Sequence, residues 1–343
     1  MQAPIHTLSS STGLQLQVST LGAAWLSCQV PLPGGERREV LLGHPDPAGY
    51  PNESGYLGQF IGRYANRIAG ARFPLPAGGE ARLHANEGLN QLHGGAFGFH
   101  NRHFEVVASS SDHLHLRLHS PDGDQGFPGA LDLELHYRVL EGLCLRIDWE
   151  ARCSAACPVN LSHHAYFNLD AQHVDVRDHQ LRIAGSRYLP VGSDLLPTGE
   201  IRKVDDCAFD LRLGPVLRKA LNAAEPQQLA VGQGFDHNWL LDEPSLVAAE
   251  LSNAELKLRI RSDLPGIQLY TGQYLTESRS RDGQPYPAYA GVALEPQYFP
   301  DSPNHPEWPQ PSCWLQAGQV MRHWIEYSFT PTLPAALAPN TKP

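Results

Sequence analysis

The chain has no run of 18 or more apolar residues, so no transmembrane helix is expected. It is short of basic residues: 26 Lys and Arg stand against 36 Asp and Glu, a formal charge of −10. Such a surface repels phosphate backbones, and nucleic acid is not an expected partner. The first eleven residues lack the basic start and apolar stretch of a secretory signal. Cys28, Cys144, Cys153, Cys157, Cys207 and Cys313 follow no framework spacing, and the four-residue step from Cys153 to Cys157 is neither C-x-x-C nor a zinc ribbon. They read as reduced, buried thiols of a cytoplasmic protein. No Gly-rich phosphate loop, G-x-S-x-G or H-E-x-x-H occurs, nor H-x-H followed by a loop carboxylate. Nucleotide-binding, serine-hydrolase and metal-dependent readings lose their usual support, and neither a metal nor a cofactor is expected. Strand–helix alternation is missing too, which argues against Rossmann and TIM-barrel architectures.

What the chain does have is turns, histidines and period-two alternation. Its 31 Gly and 29 Pro are spread throughout, and His reaches 17. Leu114, Leu116 and Leu118 alternate with His113, His115, Arg117 and His119, whose polar face is expected to meet solvent. Residues 131–139 repeat the pattern, and Leu143, Leu145, Ile147 and Trp149 follow after a short Glu141-Gly142 link, predicting a hairpin. Further strands are predicted at 256–260, at 267–274 after the Leu264-Pro265-Gly266 turn, and at 320–329. Each buries one face in an antiparallel sheet. A short helix is suggested by Leu213, Val216, Leu217, Ala220 and Leu221, although Gly214-Pro215 interrupts its start; 245–251 suits a helix or a strand. The proline-rich stretch 284–311 carries Tyr289, Tyr298, Phe299 and Trp308, as an ordered loop packed on the body would. With no repeat and no linker, residues 1–343 are expected to form a single all-β domain, a large antiparallel β-sandwich with few short helices. The Ala/Pro-rich residues 331–343 read as a frayed tail. The strand patterns suit a monomer or a homodimer.

Five patches are polar where strand periodicity does not ask for it. They are Gly62-Arg63-Tyr64-Ala65-Asn66-Arg67-Ile68, Leu92-His93-Gly94-Gly95, residues 160–169 with His163, His164, Tyr166 and Asn168, Phe235-Asp236-His237-Asn238-Trp239, and Leu294-Glu295-Pro296-Gln297. A guanidinium between glycines can grip hydroxyls, imidazoles among aromatics can line a sugar pocket, and a carboxylate in an apolar run is a candidate general base. Each has a plainer reading: a hydrogen-bonded core histidine, an Asx turn, a strand end.

Together the patches resemble the aldose 1-epimerase (galactose mutarotase) family. The resemblance runs in order through G-R-Y-A-N-R-I-A-G-A-R-F from Gly62, A-N-E-G-L-N-Q-L-H-G-G from Ala85, D-G-D-Q-G-F-P-G from Asp122 and H-A-Y-F-N-L from His164. It continues through F-D-H-N from Phe235, P-G-I-Q-L-Y-T-G from Pro265 and G-V-A-L-E-P-Q from Gly291. It implies a β-supersandwich with an open cleft and mutarotation of free hexoses such as galactose and glucose. By motif, His164 corresponds to the catalytic acid and Glu295 to the base. Asn66, Arg67, His93, Tyr166, Asp236 and Gln268 correspond to the substrate contacts. The family commonly has Asn where this chain has His163; strand alternation sends His163 to the face opposite His164. Two other substrate readings stay open: a mutarotase of phosphorylated or other aldoses, for which Arg279 and Arg281 would supply cations, and a non-catalytic carbohydrate-binding protein.

Overall fold

Alternation of apolar and polar side chains forces each strand to hide one face, and the sheets follow from that. The computed structural model describes residues 3–46, 55–223, 226–243 and 246–332. Its largest sheet has eight antiparallel strands, in the order Glu105–Ser109, His113–Ser120, Leu131–Leu140, Cys144–Cys153, Val320–Pro331, Leu256–Ser262, Val247–Ser252 and Gln180–Ile183. The inner face holds Leu114, Leu116, Leu133, Leu135, Ile147, Ile325 and Tyr327, all fully buried. The outer face is a lattice of cross-strand charge pairs, Arg117 with Glu134, Arg138 with Asp148 and Arg322 with Glu150 among them.

The hairpin turns at Gly142, whose φ of +79° is the left-handed conformation such a turn requires. The segment 245–251 resolves as the strand Val247–Ser252, because Leu251 lies opposite Leu258 and the sheet claims it. The expected strand at 267–274 stops at Tyr270, where the chain turns through Gly272. Among the described residues the α-helices are two short ones, Leu217–Asn222 and Pro226–Gly232; the second was not anticipated. Two expectations are corrected. His113 and His115 are half-buried, not solvated: His113 Nε2 lies 3.0 Å from His136 Nδ1, and the His115 and His136 rings stack at 4.0 Å. Pro331 pairs with Leu256, and the Thr332 N–H donates to Glu255 O at 2.8 Å, so the tail does not begin at 331; residues 333–343 lie outside the described residues.

A six-stranded antiparallel sheet faces the first, in the order Tyr166–Phe167, Val292–Gln297, Gly266–Tyr270, Asp236–Leu240, Arg187–Leu189 and Arg202–Lys203. One of its faces carries Val292, Leu294, Ile267, Leu269 and Trp239 into the shared core. The other carries Tyr166, Ala293, Tyr270 and Asp236 in one cross-strand row, and Glu295, Gln268 and Asn238 in the next. A four-stranded sheet, Ile5–Ser9, Gln15–Ser19, Trp25–Pro31 and Arg37–Glu39, closes the core, with the Trp25 ring 5.2 Å from Tyr327. The stretch 284–311 is ordered against the body: Tyr64 Oη donates to Phe299 O at 3.0 Å, and Trp308 Nε1 donates to Gly199 O at 3.1 Å.

Candidate active site

The polar row of the six-stranded sheet faces two loops whose shape is set by backbone pairing. Arg67 pairs with Leu92, and beside that pair the backbone turns left-handed at Asn66 (φ +65°) and His93 (φ +51°). The two residues lock each other: the His93 N–H donates to Asn66 O at 3.1 Å, and the Asn66 N–H donates to His93 Nδ1 at 3.2 Å. His93 is thereby a neutral imidazole whose Nε2 carries the proton. Gly94 must be glycine, since a Cβ there would lie 2.1 Å from Gly62 O. Arg63 turns away from the site and donates to the carbonyls of Ser120, Pro121, Pro128 and Gly129, which ties the D-G-D-Q-G-F-P-G segment to this loop.

The third wall is the segment after the short strand Ser162–His163. His164 is anchored by its backbone, with its N–H on Gln59 O and its C=O accepting from Gly58 N–H, each at 2.9 Å. Alternation then separates the neighbours. The His163 ring sits in the core, 5.8 Å from Trp25 and 6.1 Å from Tyr137, while His164 faces the opening.

These walls enclose a cavity of about 300 Å³, at the small end for ligand pockets. Asn66, Arg67, His93, His164, Tyr166, Asp236 and Glu295 all line it. Gln268 does not; it sits behind Asp236 and donates to its Oδ1 at 2.6 Å. Glu295 Oε1 lies 3.6 Å from His164 Nε2. Glu295 Oε2 and His164 Nδ1 have no hydrogen-bond partner, although both residues are nearly wholly buried. Arg67 grips Glu87 through two hydrogen bonds, Nε–Oε2 at 2.7 Å and Nη2–Oε1 at 2.8 Å, and its Nη1 is 4.0 Å from Asp236 Oδ2.

Burial dominates the electrostatics. It raises the Glu295 carboxyl well above the ordinary range, with Asp236 adding to the effect and Arg67 opposing it. It lowers His164 to about 4, His100 contributing in the same direction. His93 falls well below the ordinary imidazole value through burial and then through His164 and Arg67. Asp236 is raised by burial, against the pull of Arg67 and the Gln268 hydrogen bond. A carboxylic acid and an imidazole displaced in opposite directions and facing one cavity can pass a proton to and from a bound hydroxyl.

The cavity also has walls that sequence reasoning did not single out. Tyr56 packs its ring 4.6 Å from His93 and 5.7 Å from His164, with burial and then Glu87 pushing its hydroxyl up to about 12. Glu87, Leu195, Tyr270, Tyr274 and Glu277 line the opening. Glu87 stands inside the A-N-E-G-L-N motif, which was its one signal; for Tyr56 the sequence offers none.

A family model described as aldose 1-epimerase matches residues 4–328. The aldose 1-epimerase of Escherichia coli K12 is 38% identical over 328 residues, which is 94% of each chain. The human galactose mutarotase is 35% identical over 323 residues, 92% of this chain and 91% of its own. Among solved structures, an aldose epimerase homologue from C. elegans superposes with a TM-score of 0.88 at 25% identity, covering 96% of this chain and all of the other. A galactose 1-epimerase from Lactobacillus acidophilus NCFM gives 0.83 at 25% identity, over 95% and 94% of the two chains.

Proposed function

Since the chain belongs to the aldose 1-epimerase family, and is therefore an isomerase of the mutarotase class, we propose that Glu295 and His164 carry the reaction as base and acid on free hexoses such as galactose and glucose. The observation that carries this assignment is the 3.6 Å approach of the two side chains across a cavity that holds both. Glu295 takes the proton of the C1 hydroxyl while His164, as imidazolium, gives one to the ring oxygen. The C1–O5 bond opens to an aldehyde, C1 rotates about C1–C2, and the reverse transfers close the ring on the other face. The proton lost by the sugar at one oxygen is regained at the other, so the pair must hold one proton, neither two nor none. Burial favours that proton on Glu295, the distribution in which ring opening ends.

The remaining side chains suit ring hydroxyls. Asn66 Oδ1 accepts the Arg67 N–H at 2.8 Å, which leaves its NH2 to donate into the cavity. Arg67 and Asp236 offer a donor and an acceptor side by side, Gln268 steadies Asp236 from behind, and His93 Nε2–H faces developing charge at the ring oxygen. Tyr166 supplies an apolar ring 5.0 Å from His164. Polarimetry on freshly dissolved α-D-galactose tests the assignment. Glu295→Gln and His164→Asn should each lower kcat by about 10²–10⁴-fold; a variant that keeps the parent rate removes its residue from the mechanism.

Charge favours neutral sugars over phosphorylated ones. Glu87, Asp236 and Glu277 line the cavity, the Glu295–His164 pair is neutral with its one proton, and among the described residues the lining offers one guanidinium, that of Arg67, already matched by Glu87. Arg279 donates to Gly283 O, and Arg281 to Leu26 O and Leu41 O; neither lines the cavity. Hexose 6-phosphates should show kcat/KM at least about tenfold below the parent sugars at low salt, and parity between them would reverse this reading.

A further inference from the structure

Behind Glu295, on the face it shares with the cavity, the six-stranded sheet carries a layer of amides. Asn238 stands opposite Gln268, Gln268 opposite Glu295, and Gln297 follows Glu295 by two residues. Asn238, Gln268 and Gln297 are 1%, 3% and 0% exposed, and none lines the cavity. The Gln268 N–H is used on Asp236. Asn238 Oδ1 and Nδ2, Gln268 Oε1 and both ends of the Gln297 amide have no protein partner, nor does Glu295 Oε2. Polar atoms buried in such number, in register and beside a carboxylate, are too costly to leave unpaired. Gly266 keeps the layer open: a Cβ there would lie 2.7 Å from Asn238 Oδ1 and 3.0 Å from the Phe299 ring.

We propose that Asn238, Gln268 and Gln297 are positioning residues for mutarotation, which hold internal water against the back of Glu295 and so aim and solvate its carboxylate from the side away from the sugar. The inference rests on the assignment of Glu295 as base. The charged and titratable groups that face Glu295 are His164, Asp236 and Arg67 in the cavity wall, Tyr166 on the neighbouring strand and Tyr327 from the opposite sheet. Against these, amides and water stabilise the carboxylate without a titration of their own.

Two near-isosteric apolar replacements, Gln297→Met and Asn238→Leu, test the layer from different sides. In folded variants kcat for α-D-galactose should fall about tenfold with KM within about twofold of the parent. The alkaline limb of the kcat–pH profile, which Glu295 sets, should move up by about one pH unit. An unchanged kcat and limb overturns the proposal, and so does a raised KM at constant kcat, which is what a loosened cavity gives. Should the variants fail to fold, a crystal structure of the unaltered protein decides. Ordered water joining Glu295 Oε2 to Gln297 or Asn238 supports the layer, and a dry layer with the amides paired to one another overturns it. Failure of the unaltered protein to mutarotate would instead remove the acid–base assignment, and the water experiment would still stand.

Discussion

His164 and His163 are neighbours in sequence, yet one faces the cavity and the other is caged by Trp25, Phe60 and Tyr137 with neither nitrogen bonded. Burial pushes His163 down to about 3. A histidine depressed in the folded state leaves stability unaffected above its unfolded value near 6.5; below it the unfolded chain binds a proton that the folded chain refuses. His163 therefore removes stability as pH falls from about 6.5 toward 3. Urea unfolding of His163→Phe should show a stability–pH slope smaller by about one proton over that window, and an unchanged slope would place the titration elsewhere. The proposed acid–base pair titrates differently. Activity should be lost at acid pH as His164, lowered to about 4, takes a second proton beside a protonated Glu295. It should be lost again at a pH well above the ordinary glutamate range, where Glu295 gives its proton up. A kcat–pH profile with a broad plateau checks this, and a single acid limb near 4.5 would mean that Glu295 is not shifted.

Elements show what a sequence can and cannot convey. Strands built from alternating residues, such as Leu131–Leu140 and Cys144–Cys153, were legible because burial of one face acts locally along the chain. Segments that owe their form to a distant partner were not. The two-residue strands Arg67–Ile68 and Gln91–Leu92 are too short to carry a period, yet their pairing sets the cavity wall. Glu87 meets Arg67 only because of that pairing, and Gln268 turns its amide to Asp236 because register puts those strands side by side. His113 and His115 escaped for the same reason: the partner that half-buries them, His136, lies on the next strand. The loop elements depend on Arg63, which is 2% exposed and bonded to four carbonyls. Replacing it by Met leaves those carbonyls unpaired, and Arg63→Met should lower the unfolding free energy by about 3 kcal/mol in denaturant titration; a loss under about 0.5 kcal/mol would show that the segments hold together without it.

At the scale of the whole molecule the two large sheets divide the labour. The eight-stranded sheet spends its outer face on paired charges, while the six-stranded sheet turns its second face into the floor of the cavity. The site is thus built on strands at its base, where Glu295 and Asp236 need fixed positions, and on loops at its rim, where Glu87 and Tyr56 shape the opening. In the proposed mechanism Glu295 and His164 work as one proton-passing unit. The mutarotation rate of α-D-galactose, taken side by side for Glu295→Gln, His164→Asn and the double variant, reads that coupling. Loss of either partner should abolish the unit, so the double variant should be about as slow as the slower single variant. Single-variant losses that multiply in the double variant would mean that the two groups act independently and form no such unit.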